Sequence, residues 1–199
     1  MQIRDLYDKY NIMPQLREHQ LRVGGIAKII TDEWTDKKIA DESVMSCLLH
    51  DMGNIVKFND LKDPKWLKVR EDCRKIYGAE AHDATVGILR DASLEKYVDY
   101  INEEKMLYEL TPTKEETFNR FSKPAVIVLY ADLRVNPERV VSIEERTEDL
   151  IKRYRNKRTE NIYGPPTERY VQSLTKVDIS NISEEMVSPL FDELLTMTV

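Results

Sequence analysis

The sequence predicts an all-α domain, and three observations carry that reading. Apolar residues recur at steps of three and four along most of the 199-residue chain. Prolines and glycines punctuate these periodic stretches at their edges. No run alternates apolar and polar residues in the manner of an antiparallel sheet, and there is no internal repeat or low-complexity tract.

Taken in order, the first long helix opens at Pro14, a residue suited to a first turn. Leu16, His19, Val23, Ile26, Ala27 and Ile30 then share one face. A helix over Asp41 to Leu49 ends in an apolar run, with Gly53 soon after it. Further helices are expected over Pro64 to Tyr77, stopped by Gly78, over Ala79 to Arg90, and from about Leu94 to Leu110. Thr113 to Val135 begins polar and becomes apolar on every side through Ala125-Val126-Ile127-Val128-Leu129, the pattern of an element in the middle of a fold. A β-strand competes for those five residues; the polar lead-in and the length favour a helix, which Pro124 either kinks or starts. Ser142-Ile143-Glu144-Glu145 is a capping-box start for a helix reaching about Lys157.

Gly164-Pro165-Pro166 reads as the clearest break in the chain. Beyond it lie a helix near Thr167 to Lys176 and an amphipathic segment from Ser183. In that segment Met186, Val187, Leu190, Leu194 and Leu195 are expected to dock on the body, with Pro189 interrupting them. One domain accounts for the whole chain, residues 165–199 being a C-terminal helical extension.

Composition limits the functional classes. With 41% hydrophobic and 33% charged residues the chain is an ordinary soluble globular type. Its net charge of −6 opposes nucleic-acid binding through bulk electrostatics. The one basic run, Lys152 to Arg158, falls where a helix end favours cations. No window approaches the roughly 18 uninterrupted apolar residues of a membrane span, and the charged start Met1 to Met13 does not resemble a signal peptide. Cys47 and Cys73 are too few for a disulfide framework and read as reduced thiols of an intracellular protein. Trp34 and Trp66 read as packing residues.

The chemistry concentrates on three histidines, His19, His50 and His82, each at an inward-facing helical position. Alone, such an imidazole is ordinarily a hydrogen-bonded core residue. Two aspartates change that balance. Asp51 follows His50 at the end of an apolar helix, and Asp132 lies just after Val128-Leu129-Tyr130-Ala131, inside the most apolar helix of the chain. Burying an ionised carboxylate costs several kcal/mol unless it is paired or bound to a metal. Two imidazoles and two carboxylates around a divalent cation satisfy all four. The mixed nitrogen and oxygen donors suit Mn, Fe, Co, Ni or Zn, and Mg less well. Four protein ligands also leave positions for water and a substrate oxygen, as metal-assisted hydrolysis requires.

The order His19, His50-Asp51, Asp132 resembles the HD-domain superfamily of metal-dependent phosphohydrolases. Leu48-Leu49-His50-Asp51-Met52-Gly53 is similar to the family's apolar-HD-x-Gly core, and Tyr130-Ala131-Asp132-Leu133-Arg134-Val135 to its late Ala-Asp element. The resemblance covers roughly residues 16 to 146. It implies an HD-type helical bundle, a cytoplasmic protein, and one divalent metal held by His19, His50, Asp51 and Asp132. The implied reaction is hydrolysis of a phosphate ester or phosphoanhydride of a nucleotide or other small phosphorylated metabolite. Two further activities fit the same scaffold: nucleotide binding without turnover, and oxidation by a non-haem iron centre.

The sequence also departs from the family. Where many members carry Glu, His or Lys three positions after the doublet's aspartate, this chain has Asn54, which cannot act as a general acid. His82 looks like the first of two extra histidines found in dinuclear members, but Tyr100 to Glu104 supplies no second one. A mononuclear site follows, with a second metal near His82 not favoured. Glu103 and Glu104 are possible oxygen ligands but read first as a solvated helix face. Catalysis falls to Asp51 and to His82, whose imidazole suits a general acid; Asp83 either orients it or faces solvent. Lys57, Arg22 and Asn54 are the candidate substrate contacts, with Arg134, Arg139 and Arg146 behind them.

Overall fold

In the computed structural model, which describes residues 1–154 and 160–199, the segment that is apolar on every side runs through the middle of the molecule. This helix, α7 (Lys123–Asp132), is buried from Pro124 to Ala131. Ser122 is its N-cap and Pro124 lies in its first turn, so the proline starts the helix rather than kinking it. The polar lead-in is a separate 3-10 turn over Glu115–Arg120. Among the described residues there are eleven α-helices and no β-strand, only two isolated bridges. The all-α class holds, and the strand alternative for Ala125 to Leu129 does not.

Two helices flank this centre. The first is α2 (Pro14–Thr31), with Pro14 at its start. The second, α3 (Lys37–Leu49), begins earlier than the apolar pattern suggests because Asp36 caps it through the backbone N–H of Ile39. The two pack side by side, and α7 lies against both. A 3-10 turn (Asn54–Lys57) leads from α3 toward α4 (Pro64–Tyr77) and α5 (Ala81–Asp91). The end of α4 is fixed by Gly78 at φ 103°, a conformation that favours glycine. Next, α6 (Glu95–Leu110) returns against α3, α5 and α7.

Ser142 starts α8 (Ile143–Tyr154) by accepting from the backbone N–H of Glu145. The expected end of that helix at Lys157 lies outside the described residues, as does most of the basic run. Lys152 of that run pairs with Glu148 at 3.6 Å.

The expected break at Gly164-Pro165-Pro166 is wrong. A helix, α9 (Glu160–Ser173), continues through both prolines. Each proline removes one backbone hydrogen bond and disfavours the turn, but tertiary packing outweighs that local preference. Tyr163, Thr167 and Val171 repeat every fourth residue as a fully buried stripe. Gly164 serves contact rather than a turn, since a Cβ there would lie 2.6 Å from Cγ2 of Ile143 in α8.

The C-terminal segment docks on the body through part of its apolar stripe: Leu190 and Leu195 are half-buried, and Met186, expected to dock with them, is exposed. Val187 of α10 (Glu184–Val187) and Leu194 of α11 (Phe191–Thr196) are fully buried, and Pro189 sits in the 3-10 turn between the two helices. The strongly charged N-terminal segment forms a helix the periodicity does not announce, α1 (Ile3–Lys9). It is tied to the other terminus by bonds from Ile3 N–H to Met197 O (2.9 Å) and Val199 N–H to Met1 O (3.0 Å). No described helix is long and apolar enough to cross a membrane.

Candidate metal centre

His19 projects from the middle of α2, His50 and Asp51 from the end of α3, and Asp132 from the end of α7. These three mutually packed helices bring the residues to one point. His19 Nε2 lies 3.1 Å from Asp132 Oδ1 and 3.6 Å from Asp51 Oδ2. His50 Nε2 is 3.7 Å from each of the same two oxygens. The two rings are tilted by 50° with centroids 5.3 Å apart. Donors at about 2.0–2.2 Å from a common ion stand about 2.8–3.6 Å apart at octahedral or tetrahedral angles, so these spacings are close to those of one coordination sphere.

The chemistry of His50 supports the same reading. Its Nδ1 donates to the carbonyl oxygen of Cys47 at 2.8 Å. That bond leaves the Nε2 lone pair aimed at the aspartates, and Nε2 is buried without a hydrogen-bond partner. Burial pushes the His50 pKa down, but Asp51 and Asp132 together outweigh it and raise it to about 9. Asp132 behaves inversely. Burial favours its neutral form, while hydrogen bonds and charge from His19 and His50 hold its pKa well below the usual carboxylate range. A proton on His50 thus stands where a cation would compensate the carboxylates. His19, His50 and Asp51 offer ligand atoms within 4.8 Å of one another and fit a divalent metal, while Asp132 meets both imidazoles but stands outside that trio.

Local packing holds the doublet in place. The Tyr7 hydroxyl, fully buried, donates to Leu48 O at 2.6 Å and satisfies a carbonyl in the last turn of α3. Gly53 N–H donates to Thr85 Oγ1 at 2.9 Å, and a Cβ on Gly53 would lie 2.3 Å from the backbone N of Thr85. Glycine after the doublet therefore lets the chain leaving α3 press onto α5.

No family model, curated protein or solved structure matches this chain. What can be said of its site comes from the residues themselves.

The remaining candidates separate. Lys57 is exposed at the end of its 3-10 turn, and Asn54 is half-buried at the start. Lys57 lines a cleft of about 360 Å³ with Met13, Gln15, Phe58 and Asn59. Gln15 stands one turn before His19 on α2, but the cleft's lining includes none of the cluster residues. Another cavity of about 310 Å³ lies against α4 and α5, among Leu16, Met52, Ile55 and Cys73, and contains none of the cluster residues.

Arg22 does not face the site. Its buried guanidinium donates to both oxygens of Glu184 (2.9 and 3.1 Å) and to Glu18, tying α10 to α2. One helical turn from His19 sufficed to suggest a shared face, but the ion pair directs the side chain to the C-terminal segment. Arg134 is likewise structural, donating to Val141 O, Ile179 O and Ile182 O. Arg139 pairs with Glu145 and Arg146 with Asp149.

His82 is not brought to the cluster either. Its Nε2 is hydrogen-bonded to Asn102 Oδ1 at 2.9 Å, and the charges facing it are Lys105, Asp83 and Glu109. Burial pulls its pKa down. An inward helical position turns it toward α6 rather than toward the doublet, and Asp83 beside it is exposed.

The solvated-face reading of Glu103 and Glu104 is overturned. Glu103 accepts from the backbone N–H of Ser122 at 2.7 Å, bracing the start of α7. Glu104 is half-buried, and its carboxyl is raised to about 7, chiefly by burial, with His50, Asp132, Asp51 and Lys57 among the charges it feels. The signal was present in the spacing, because Tyr97, Ile101 and Glu104 fall on one helical stripe.

Proposed function

We propose that the chain is a metal-dependent phosphohydrolase. It would hold one divalent ion through His19, His50, Asp51 and Asp132 and hydrolyse a phosphate ester or phosphoanhydride of a small metabolite, a nucleotide being the leading class. The observation that supports this is the approach of two imidazole nitrogens and two carboxylate oxygens to within 3.1–3.7 Å from three helices. A bound divalent ion supplies a Lewis acid for a phosphoryl oxygen and lowers the pKa of water.

The chain's own groups have separate tasks. Asp51 and Asp132 are 21% and 33% exposed at the side chain, against 5% for His50, so the cluster opens to solvent on its carboxylate side. A water approaching there is oriented by hydrogen bonds to the aspartates. Lys57 at the mouth meets the phosphate charge, and the amide of Asn54 donates without transferring a proton. The cleft beside Gln15 and Phe58 receives the body of the substrate.

The test is a phosphate-ester and nucleotide screen of the purified protein in Mn, Co, Ni, Zn and Mg, run beside His50→Ala. Metal-dependent phosphate release that the variant lacks supports the proposal. Tight nucleotide binding with no product, or oxygen uptake by an iron-loaded protein, moves the chain to a different class.

A further inference from the structure

The cavity of about 310 Å³ against α4 and α5 is separate from the metal candidates. Its walls are the turn between α1 and α2, the residues that follow Asp51, and the facing sides of α4 and α5. We propose that this cavity is a binding site for a small apolar amine, whose hydrocarbon body fills the interior while its ammonium group pairs with Asp91 at the mouth. The inference goes beyond the phosphohydrolase reading and does not depend on it.

The floor is apolar and preformed. Leu16 of α2, Met52 and Ile55 after the doublet, and Ile88 of α5 line it, and none is more than 5% exposed. A space of this size bounded by hydrocarbon offers water few partners and suits an apolar guest. Asn11 turns the chain from α1 to α2 in a left-handed conformation, φ 50°, which asparagine tolerates. Bonds from Asn11 N–H to Asp8 O (3.1 Å) and from Ile12 N–H to Tyr7 O (2.9 Å) fix that wall. On the other side the ring of Tyr77 rests on Gly87, where a Cβ would lie 2.7 Å from Tyr77 Cδ1, so α4 and α5 are closely packed. Walls held in this way need little ordering when a ligand enters.

Three charged side chains line the cavity, Lys9, Asp72 and Asp91, and two of them already have a partner. Asp72 pairs with Lys68 one turn earlier on α4. The ammonium of Lys9 is seated 4.7 Å from the centre of the Tyr10 ring. Asp91 accepts from the Tyr10 hydroxyl at 2.7 Å, but among the described residues no cation pairs with it. Its carboxylate is therefore the charge left for a ligand to complement. A cation on an apolar body suits both the floor and the mouth, whereas an anion meets Asp91 and Asp72 with like charge. Tyr10 and Tyr77 in the same lining add aromatic surface, which also accepts a cation.

An occupant touches no metal candidate directly, because none of them lines the cavity. It does meet their chain neighbours: Met52 follows Asp51, and Leu16 lies one turn before His19. Met52 is fully buried and part of the lining, so its methyl group reports whether the cavity is filled.

The experiment titrates the full chain with n-hexylamine, n-hexanol and hexanoate at neutral pH while the methionine methyl resonances are followed by NMR, with Met52→Leu to assign that of Met52. Expected is a saturable shift of the Met52 resonance with hexylamine, binding of hexanol about fivefold weaker, and binding of hexanoate weaker still. Asp91→Asn keeps an acceptor for the Tyr10 hydroxyl and removes only the charge. It should bring hexylamine down to the level of hexanol and leave hexanol itself unchanged. Equal affinities for the three compounds in the wild type, or a preference for hexanoate, overturn the proposal. So does an Asp91→Asn variant that still prefers the amine, or a Met52 resonance that none of the compounds moves. The readout is binding alone, and it is decided whether or not the chain cleaves phosphate esters.

Discussion

The Nδ1 of His50 donates to the carbonyl oxygen of Cys47 three residues earlier, at 2.8 Å, and this bond decides which nitrogen looks into the cluster. The carbonyl belongs to the last turn of α3 and lacks a helical partner of its own. One contact therefore ends the helix, fixes the ring and presents Nε2 as a donor to a metal. Outer partners of this kind orient metal-binding histidines.

Metal binding must displace protons. In the metal-free protein His50 has a pKa raised to about 9, so it is charged at pH 7 and must be neutral to ligate. Calorimetric metal titration at pH 7 in buffers of different ionisation enthalpy should report about one proton released per ion, falling toward zero near pH 10. Buffer-independent enthalpies at pH 7 would contradict this.

The same two groups set how the metal-free fold responds to pH. His50 is raised from 6.5, so its contribution is fully present below that value and fades as pH rises through about 9. Asp132 is depressed from 3.8, so its contribution is present above that value and fades as pH falls through its lower native pKa. Thermal melts of the metal-free protein should therefore drop between pH 7 and 10, while the metal-loaded protein, its His50 already neutral, should not follow. Parallel curves would show that His50 is not the group being titrated.

Tyr7 buttresses the doublet from the far side of α3. Tyr7→Phe leaves Leu48 O buried without its partner and should cost about 1–2 kcal/mol of stability, read by denaturant unfolding, with the metal still bound. A variant as stable as wild type would mean that water replaces the hydroxyl.

Gly53 tests the contact behind the doublet. Its φ of −92° is open to any residue, so Gly53→Ala is penalised only by the Cβ meeting the α5 backbone, 2.3 Å from the nitrogen of Thr85. Overpacking there should cost about 1–3 kcal/mol and lower metal occupancy as Asp51 shifts. Unchanged melting and metal content would show that α5 yields freely.

Lys57 and Arg22, similar on paper, should separate in experiment. Lys57→Ala should raise KM for a phosphate ester without altering the melting temperature. Arg22→Ala leaves Glu184, 26% exposed, with only its bond from Val140 N–H and should destabilise by about 1.5–3 kcal/mol, the cost of a lost charged hydrogen bond. The reverse pattern would place Arg22 in the site after all.

Legibility followed range. Helices with a strong periodicity and a local stop signal, such as α2 with Pro14 and α4 with Gly78, could be read directly because the deciding interactions lie within a turn or two. The break expected at Gly164 failed because the stripe of Tyr163, Thr167 and Val171 and the contact with Ile143 are tertiary, and these outweighed the proline preference. The four candidate ligands could be found because each ends or lines an apolar helix, where a charged side chain demands a partner. Arg22 misled because its partner, Glu184, lies 162 residues away. His82 misled for a related reason: helical spacing says that a residue turns inward, not which neighbouring helix it meets, and His82 meets Asn102 of α6.

The most direct test of the central claim is metal content per chain in purified protein, measured for the wild type beside His50→Ala and Asp132→Ala. The convergence of His19, His50, Asp51 and Asp132 predicts one tightly held divalent transition metal in the wild type and its loss in both variants while helical content persists. Wild-type protein free of stoichiometric metal after loading, or variants that retain it, would contradict the account.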